Sequence, residues 1–204
     1  MAYEHDIFVS YRRHPETLSW ITTHFVPLLE LHVEMELQRK PVIYIDTQTD
    51  SGTSWPVSIG AALGNSRIMV ALWTGNYLAS DWCAQELAHM IARENKYQLR
   101  TVERPHGIVV PAFIHDGNKF PQELSHIQHF EIQSYFNVRM AREGRLAEAL
   151  DSALSEQAPA ITACIENAPD WEEEWPKEAA AEFFERFYQR VKVQQTNLPR
   201  FTAK

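Results

Sequence analysis

Short apolar runs alternate with longer amphipathic stretches along this chain, and this alternation is the feature that most constrains its fold. Between the runs, apolar residues recur every three or four positions, as they do on the buried face of a helix. The alternation predicts an α/β domain with a mainly parallel sheet. Because single helices join the runs, we expect the flavodoxin-like strand order 2-1-3-4-5. The five predicted strands span residues 6–11, 41–46, 68–73, 107–114 and 129–136.

The helical stretches predict where the domain ends. Helices are expected at 18–35, 57–63, 82–97 and 143–155, with Pro159 beginning a separate short helix because proline favours a first helical turn. We therefore assign residues 1–157 to the α/β domain and 158–204 to a C-terminal helical extension. This extension contains an acidic, tryptophan-containing link, 169–176. Its last helix carries an apolar stripe that packs either on this domain or on a partner: Phe183, Phe184, Phe187, Tyr188 and Val191.

Charge and composition exclude several function classes. The chain has 19 basic and 27 acidic residues, a net charge of −8, which argues against nucleic-acid binding. No apolar run approaches the roughly 18 residues of a membrane span, and the N-terminus does not resemble a signal peptide, so we expect a cytoplasmic protein with no membrane partner. The two cysteines lack metal-ligand spacing, and His126 and His129 have no nearby partner of the right type, so no metal site is predicted.

The common phosphate-binding and hydrolase motifs do not occur in the sequence. It contains no GxGxxG, no GxxxxGK[ST] and no GxSxG. A phospho-receiver of this topology needs an aspartate after the third strand, where this chain has Trp73 and Thr74. Chemistry must therefore come from another set of residues.

The carboxyl ends of the predicted strands carry polar and aromatic side chains, and ligands bind at this end of such sheets. Trp82 and Glu86 stand four residues apart at the opening of a helix, so they share one face. Each residue also has an ordinary interpretation. A partly exposed acid in a first helical turn offsets the helix dipole, a tryptophan packs, and paired arginines are solvated.

Four motifs in order resemble a TIR domain, the Toll/interleukin-1 receptor homology family. They are Phe8-Val-Ser-Tyr-Arg-Arg13, then Ser54-Trp55, then Asn65-Ser-Arg-Ile-Met-Val-Ala-Leu-Trp73, and finally Asp81-Trp-Cys-Ala-Gln-Glu-Leu87. The resemblance covers approximately residues 4–157 and is closest to the bacterial, NAD-cleaving type. In that type the catalytic glutamate lies in a W-x-x-x-E pattern, which Trp82 to Glu86 match.

The resemblance implies that Glu86 is the catalytic carboxylate and that NAD⁺ is the substrate, with no further cofactor and no metal. Trp82 would form an apolar wall beside Glu86, Arg12 and Arg13 would meet the pyrophosphate, and a loop at 47–56 would cover the site. The expected NAD-binding residues are Phe8, Ser10, Tyr11, Arg12, Arg13, Asp46, Trp55 and Trp82.

Three functions are compatible with this resemblance. The first is a signal-producing enzyme, similar to the TIR proteins of Thoeris-like anti-phage defence, whose ADP-ribose, cyclic or conjugated product activates a separate effector. The second is an enzyme that simply depletes NAD⁺. The third is a non-catalytic module that works by TIR–TIR self-association; the acid at Glu86 favours the enzymes over this scaffold.

Overall fold

A five-stranded, wholly parallel sheet forms the centre of the protein, in the order β2-β1-β3-β4-β5, as the sequence predicted. The structure is a computed structural model that describes residues 2–47, 57–173 and 185. The central strands β1 and β3 are almost entirely buried, because their apolar residues face helices on both sides. The strands are β1 His5–Tyr11, β2 Ile43–Ile45, β3 Ser66–Trp73, β4 Val109–Phe113 and β5 Phe130–Glu131.

Within the described ranges, five α-helices flank this sheet. The helix predicted at 18–35 is continuous but contains a π-helical turn, Ile21–Phe25, between α1 and α2. The turn lies just before Pro27, which has no amide N–H to donate to the carbonyl four residues earlier, and Val26 N instead donates to Ile21 O. The helices are α1 Pro15–Trp20, α2 Val26–Leu37, α3 Val57–Gly64, α4 Asp81–Lys96 and α5 Arg145–Glu166.

Pro159 does not begin a new helix, so this prediction was wrong. It lies inside α5, which continues without interruption to Glu166. The proline leaves Ser155 O without its usual N–H donor, but both residues are exposed, so water can serve that carbonyl. On the opposite side, buried Leu154 and Ile161 keep the two halves of the helix packed on the same core. The predicted boundary at 157 falls within this helix, and the division into 1–157 and 158–204 stays a prediction.

The fifth strand is much shorter than predicted. Only Phe130 and Glu131 pair with β4, and a 3₁₀ turn, Gln133–Tyr135, follows instead of further strand. An edge strand has one neighbour, so few ladder hydrogen bonds oppose an early turn.

The beginning of the acidic link folds back onto the amino ends of the central strands. Tyr3 Oη donates a hydrogen bond to Pro169 O at 2.6 Å, and Trp171 Nε1 donates one to Asn65 Oδ1 at 2.9 Å. Glu172 forms an ion pair with Lys96 at the end of α4. The apolar stripe predicted at 183–191 lies outside the described residues. In the described part of the chain, no helix is long and apolar enough to cross a membrane.

Candidate active site

A cavity of about 220 Å³ opens at the carboxyl end of β1, beside the beginning of α4. This is the end of the sheet at which the strand order predicts a ligand site. Trp55, also predicted to bind, lies outside the described residues. All the other predicted site residues line the cavity: Phe8, Ser10, Tyr11, Arg12, Arg13, Asp46, Trp82 and Glu86.

The beginning of α4 presents Trp82 and Glu86 on one face. Ser80 is the N-cap, and its Oγ accepts a long hydrogen bond from Cys83 N at 3.5 Å. Because the helix begins at Asp81, Glu86 lies in the second turn rather than the first. It is also only 6% exposed, not partly exposed as the sequence had suggested, since it faces β1. Exposed Asp81 is the acid placed to offset the helix dipole.

The carboxyl group of Glu86 is held in a desolvated setting. Burial raises its pKa to about 7, although the Ser10 hydroxyl and the nearby Arg13 charge act in the opposite direction. Glu86 is therefore present in both protonation states near neutral pH. Perturbed acids of this kind are typical of catalytic and binding sites.

Two hydroxyl groups connect Glu86 to the interior. Ser10 Oγ donates to Glu86 Oε2 at 2.5 Å and is also 2.5 Å from Tyr77 Oη. Tyr77 is completely buried, and that burial raises its pKa well above the ordinary value, so its hydroxyl keeps its proton. Tyr77 could not be predicted from the sequence, because nothing in its local pattern shows that it reaches across to β1.

Arg13 bridges the ends of β1 and β2. Its guanidinium forms an ion pair with Asp46 and lies 5.7 Å from the centre of the Trp82 ring, within range for a cation–π contact. Tyr11 Oη fixes the same segment by donating to the backbone carbonyl of Asp46 at 2.8 Å. The Arg13 side chain keeps 35% of its exposure, so it stays accessible from the cavity mouth.

Arg12 differs from its neighbour. It is exposed at the cavity, and among the described residues it forms no hydrogen bond or ion pair. It is therefore a cation available to an anionic ligand; that it meets a pyrophosphate stays a prediction from the resemblance.

Four further residues, which were not predicted from the sequence, also line the cavity: Val9, Ala79, Ser80 and Cys83. Burial raises the pKa of the Cys83 thiol far above its usual value, and the Glu86 charge adds to this effect. Cys83 is thus an uncharged, poorly nucleophilic part of the wall. Its position next to Trp82 at the helix start is the only sequence signal that points to it.

Within the described ranges, no group of three or more histidine, cysteine or carboxylate side chains lies close enough to hold a metal ion. His129 instead stacks on the Phe113 ring at a centroid distance of 4.0 Å.

Residues 7–146, more than half of the chain, match the family described as TIR domain, and this match decides the family. The chain belongs to the TIR domain family. The matched span contains every residue that lines the cavity. Among solved structures, the TIR domain is similar to the TIR domains of the activated Roq1 resistosome directly recognizing the pathogen effector XopQ. That match has 21% identity and a TM-score of 0.38, and it covers 80% of this chain and 84% of the other. A similarity this distant carries no weight for the site.

Proposed function

We propose that this TIR domain cleaves the nicotinamide–ribose bond of NAD⁺, with Glu86 as the catalytic carboxylate. The observation that supports it most is the burial of Glu86, with a raised pKa, in a cavity that is also lined by the Trp82 ring and two arginines. A scaffold gains nothing from this arrangement, since a buried carboxylate without a matched cation destabilises the fold.

The proposed chemistry needs only one acid. Nicotinamide in NAD⁺ is already a cationic leaving group, so the bond between ribose C1′ and the ring nitrogen breaks with its electron pair passing to that nitrogen. Ionised Glu86 stabilises the resulting oxocarbenium-like ribose or attacks C1′ directly. Water or another nucleophile then bonds to C1′ and loses a proton to solvent, giving ADP-ribose or a cyclic or conjugated derivative. Where Glu86 has bonded to C1′, that bond breaks in this step and its electron pair returns to the carboxylate.

The size and charge of the site fit one end of the dinucleotide. A volume of about 220 Å³ is below the roughly 300–1,000 Å³ of a complete small-molecule site, so the cavity would take the nicotinamide and its ribose. The pyrophosphate would lie at the mouth, against Arg12 and Arg13. For this contact Arg13 would exchange its ion pair with Asp46 for the phosphate oxygens.

On the resemblance alone, the proposal extends to a bacterial anti-phage role in which the product activates a separate effector. Self-association through TIR–TIR contacts belongs to the same extension. A non-catalytic TIR module is the other outcome that an activity test would reveal.

The decisive experiment incubates the purified protein with NAD⁺ over a wide concentration range and identifies the products by mass spectrometry. Glu86→Gln keeps the side-chain shape and is expected to lower turnover by roughly 10²-fold or more. Asp81→Asn removes an exposed acid from the same helix and is the matched control, with activity like that of the wild type. If the wild-type protein releases no nicotinamide at any concentration, the enzyme proposal is wrong and the scaffold is favoured.

A further inference from the structure

A line of two hydroxyl groups leads from Glu86 into the protein interior. Ser10 lies on β1 and Tyr77 on the 3₁₀ turn Tyr77–Ala79 before α4, so the line joins three separate segments. Within the described residues, Tyr77 Oη has a hydrogen bond with Ser10 and with no other group.

The number of hydroxyl hydrogens determines which group donates in each of these two hydrogen bonds. The serine hydroxyl carries one hydrogen, which it donates to Glu86 Oε2, so the short contact to Tyr77 must be a bond that Tyr77 donates. Every donor in this arrangement has an acceptor, and the final acceptor is Oε2 of Glu86.

The reverse direction leaves a group unsatisfied. If Glu86 Oε2 were protonated and donated to Ser10, then Ser10 would donate to Tyr77. The Tyr77 hydroxyl hydrogen would then have no acceptor among the described residues, in a place without exposure to water. Tyr77 therefore opposes a proton on Oε2. A neutral Glu86 would carry its proton on Oε1, and Oε2 would then accept from Ser10 as an uncharged carbonyl oxygen. Because a hydrogen bond to a charged oxygen is stronger, the two hydroxyl groups favour the ionised form of Glu86.

We propose that Tyr77, acting through Ser10, is a positioning residue that fixes Oε2 of Glu86 and favours its ionised form. Oε1, which makes no hydrogen bond with the described residues, is then the oxygen left for the ribose. This role rests on the proposed function, but the bias toward the ionised acid exists without any substrate.

Tyr77 is itself held firmly, as a positioning residue must be. Its backbone N–H donates to Thr74 O at 2.9 Å, and its ring lies against Trp73 with a centroid distance of 4.9 Å. Tyr77→Phe keeps these contacts and removes the hydroxyl alone. The other titratable groups around Glu86 are Tyr11 from β1, Tyr44 from β2, Cys83 from α4, Arg12 and Arg13 after β1, and Asp46 after β2.

The test follows the titration of Glu86 by NMR of protein labelled with ¹³C at the glutamate carboxyl carbon, without substrate. Glu86→Gln identifies the resonance by its loss. We expect the midpoint to rise by about one pH unit in Ser10→Ala and by about half a unit in Tyr77→Phe. In the Ser10→Ala background, Tyr77→Phe is expected to add nothing, since its effect passes through Ser10.

Tyr3→Phe is the matched control, because it removes a tyrosine hydroxyl bonded to Arg93 and Pro169 at the other end of the sheet. It is expected to lower the melting temperature without moving the Glu86 midpoint. An unchanged midpoint in Tyr77→Phe, or an equal shift in the presence and absence of Ser10, would overturn the proposal. If Tyr77→Phe does not fold, labelling the protein with 3-fluorotyrosine replaces it. The fluorinated hydroxyl is a stronger hydrogen-bond donor, so we expect it to lower the Glu86 midpoint, and to lower it less in Ser10→Ala. An equal effect in the wild type and in Ser10→Ala would contradict the role of Tyr77.

With NAD⁺ as substrate, Tyr77→Phe is expected to lower kcat while KM stays near the wild-type value. Its pH profile of kcat/KM should move upward by the same interval as the NMR midpoint. If the wild-type protein has no activity, the proposed function is wrong. The titration of Glu86 still tests the role of Tyr77 in that case.

Discussion

Glu86 has opposite effects on chemistry and on stability, and its pH dependence separates them. Its pKa in the folded protein, about 7, lies above the ordinary 4.5, so folding favours the protonated form. The stabilisation that results from this preference is therefore complete below about pH 4.5, and it is lost as the pH rises through about 7. Glu86→Gln should accordingly be more stable than the wild type by up to about 3 kcal/mol above about pH 8. Denaturant unfolding at several pH values checks this; a variant less stable than the wild type at high pH would contradict it.

The same pKa predicts how the proposed activity responds to pH. The ionised carboxylate is the form that stabilises a cationic ribose, so kcat/KM for NAD⁺ should rise with pH through about 7 and then level off. Bound NAD⁺ brings a positive nicotinamide ring close to Glu86 and favours its ionised form. The midpoint for kcat should therefore lie below that for kcat/KM. Steady-state rates across the pH range test both, and a kcat/KM that falls steadily through this range would exclude an ionised Glu86 as the catalyst.

Asp6, at the other end of β1, shows the opposite electrostatic behaviour. Burial alone would raise its pKa, but two hydrogen bonds from Arg39 at 2.7 Å and one from Val42 N lower it below the ordinary value. The stabilisation that ionised Asp6 gives the folded protein is present above the pKa of Asp6 in the unfolded chain. It is lost as the pH falls through the lower pKa of Asp6 in the folded protein. Asp6→Asn should thus destabilise the protein by about 1–3 kcal/mol at neutral pH, with a smaller difference in acid. Equal unfolding free energies at pH 7 would contradict this.

At the scale of elements, Glu94 attaches α4 to the beginning of β4. Its carboxylate receives two hydrogen bonds from Arg100 at 2.9 Å and the backbone N–H groups of Ile108 and Val109 at 2.6 and 2.8 Å. Glu94→Gln leaves the guanidinium partly buried without its counter-charge. We expect a loss of about 3 kcal/mol in unfolding free energy. For Asp81→Asn, which removes the exposed acid that offsets the dipole of the same helix, the loss should be at most about 1 kcal/mol.

The elements also show why much of the fold was predictable. The periods of the apolar residues depend on local chain geometry, so they indicated five strands and the helices between them. The fate of Pro159 depended on packing by residues on the opposite face of α5, which local sequence does not reveal. The length of β5 likewise depended on having a single neighbouring strand.

The site divides in a similar way between local and long-range information. Glu86, Trp82 and the residues after β1 could be placed because strand ends and helix starts are local features. The burial of Glu86 and the bond between Tyr77 and Ser10, 67 positions apart, arise only when β1 and the turn before α4 meet.

At the scale of the whole molecule, the two ends of the sheet serve different purposes. The carboxyl end holds the cavity, whereas the amino end is covered by the residues that follow α5. Trp171→Ala removes the hydrogen bond to Asn65 together with a half-buried indole ring. It should lower the melting temperature and leave the Glu86 midpoint unchanged, and a shifted midpoint would show that the two ends are coupled.

Self-association of the chain would also involve the whole molecule. The resemblance to self-associating TIR domains predicts that activity per molecule rises with protein concentration. A dilution series that combines NAD⁺ cleavage with light scattering measures both quantities together. A flat specific activity from a monomer at every concentration would count against assembly.

The burial of Glu86 also sets a direction for evolution. Because the neutral glutamine is expected to be more stable at alkaline pH, selection for stability alone would remove the acid. If the proposed chemistry is lost in a lineage, Glu86 should therefore be replaced early, most readily by glutamine, whose amide oxygen can still accept the hydrogen bond from Ser10. Laboratory selection for thermostability at high pH would make the same substitution, and only a selection that includes the chemistry would retain the glutamate.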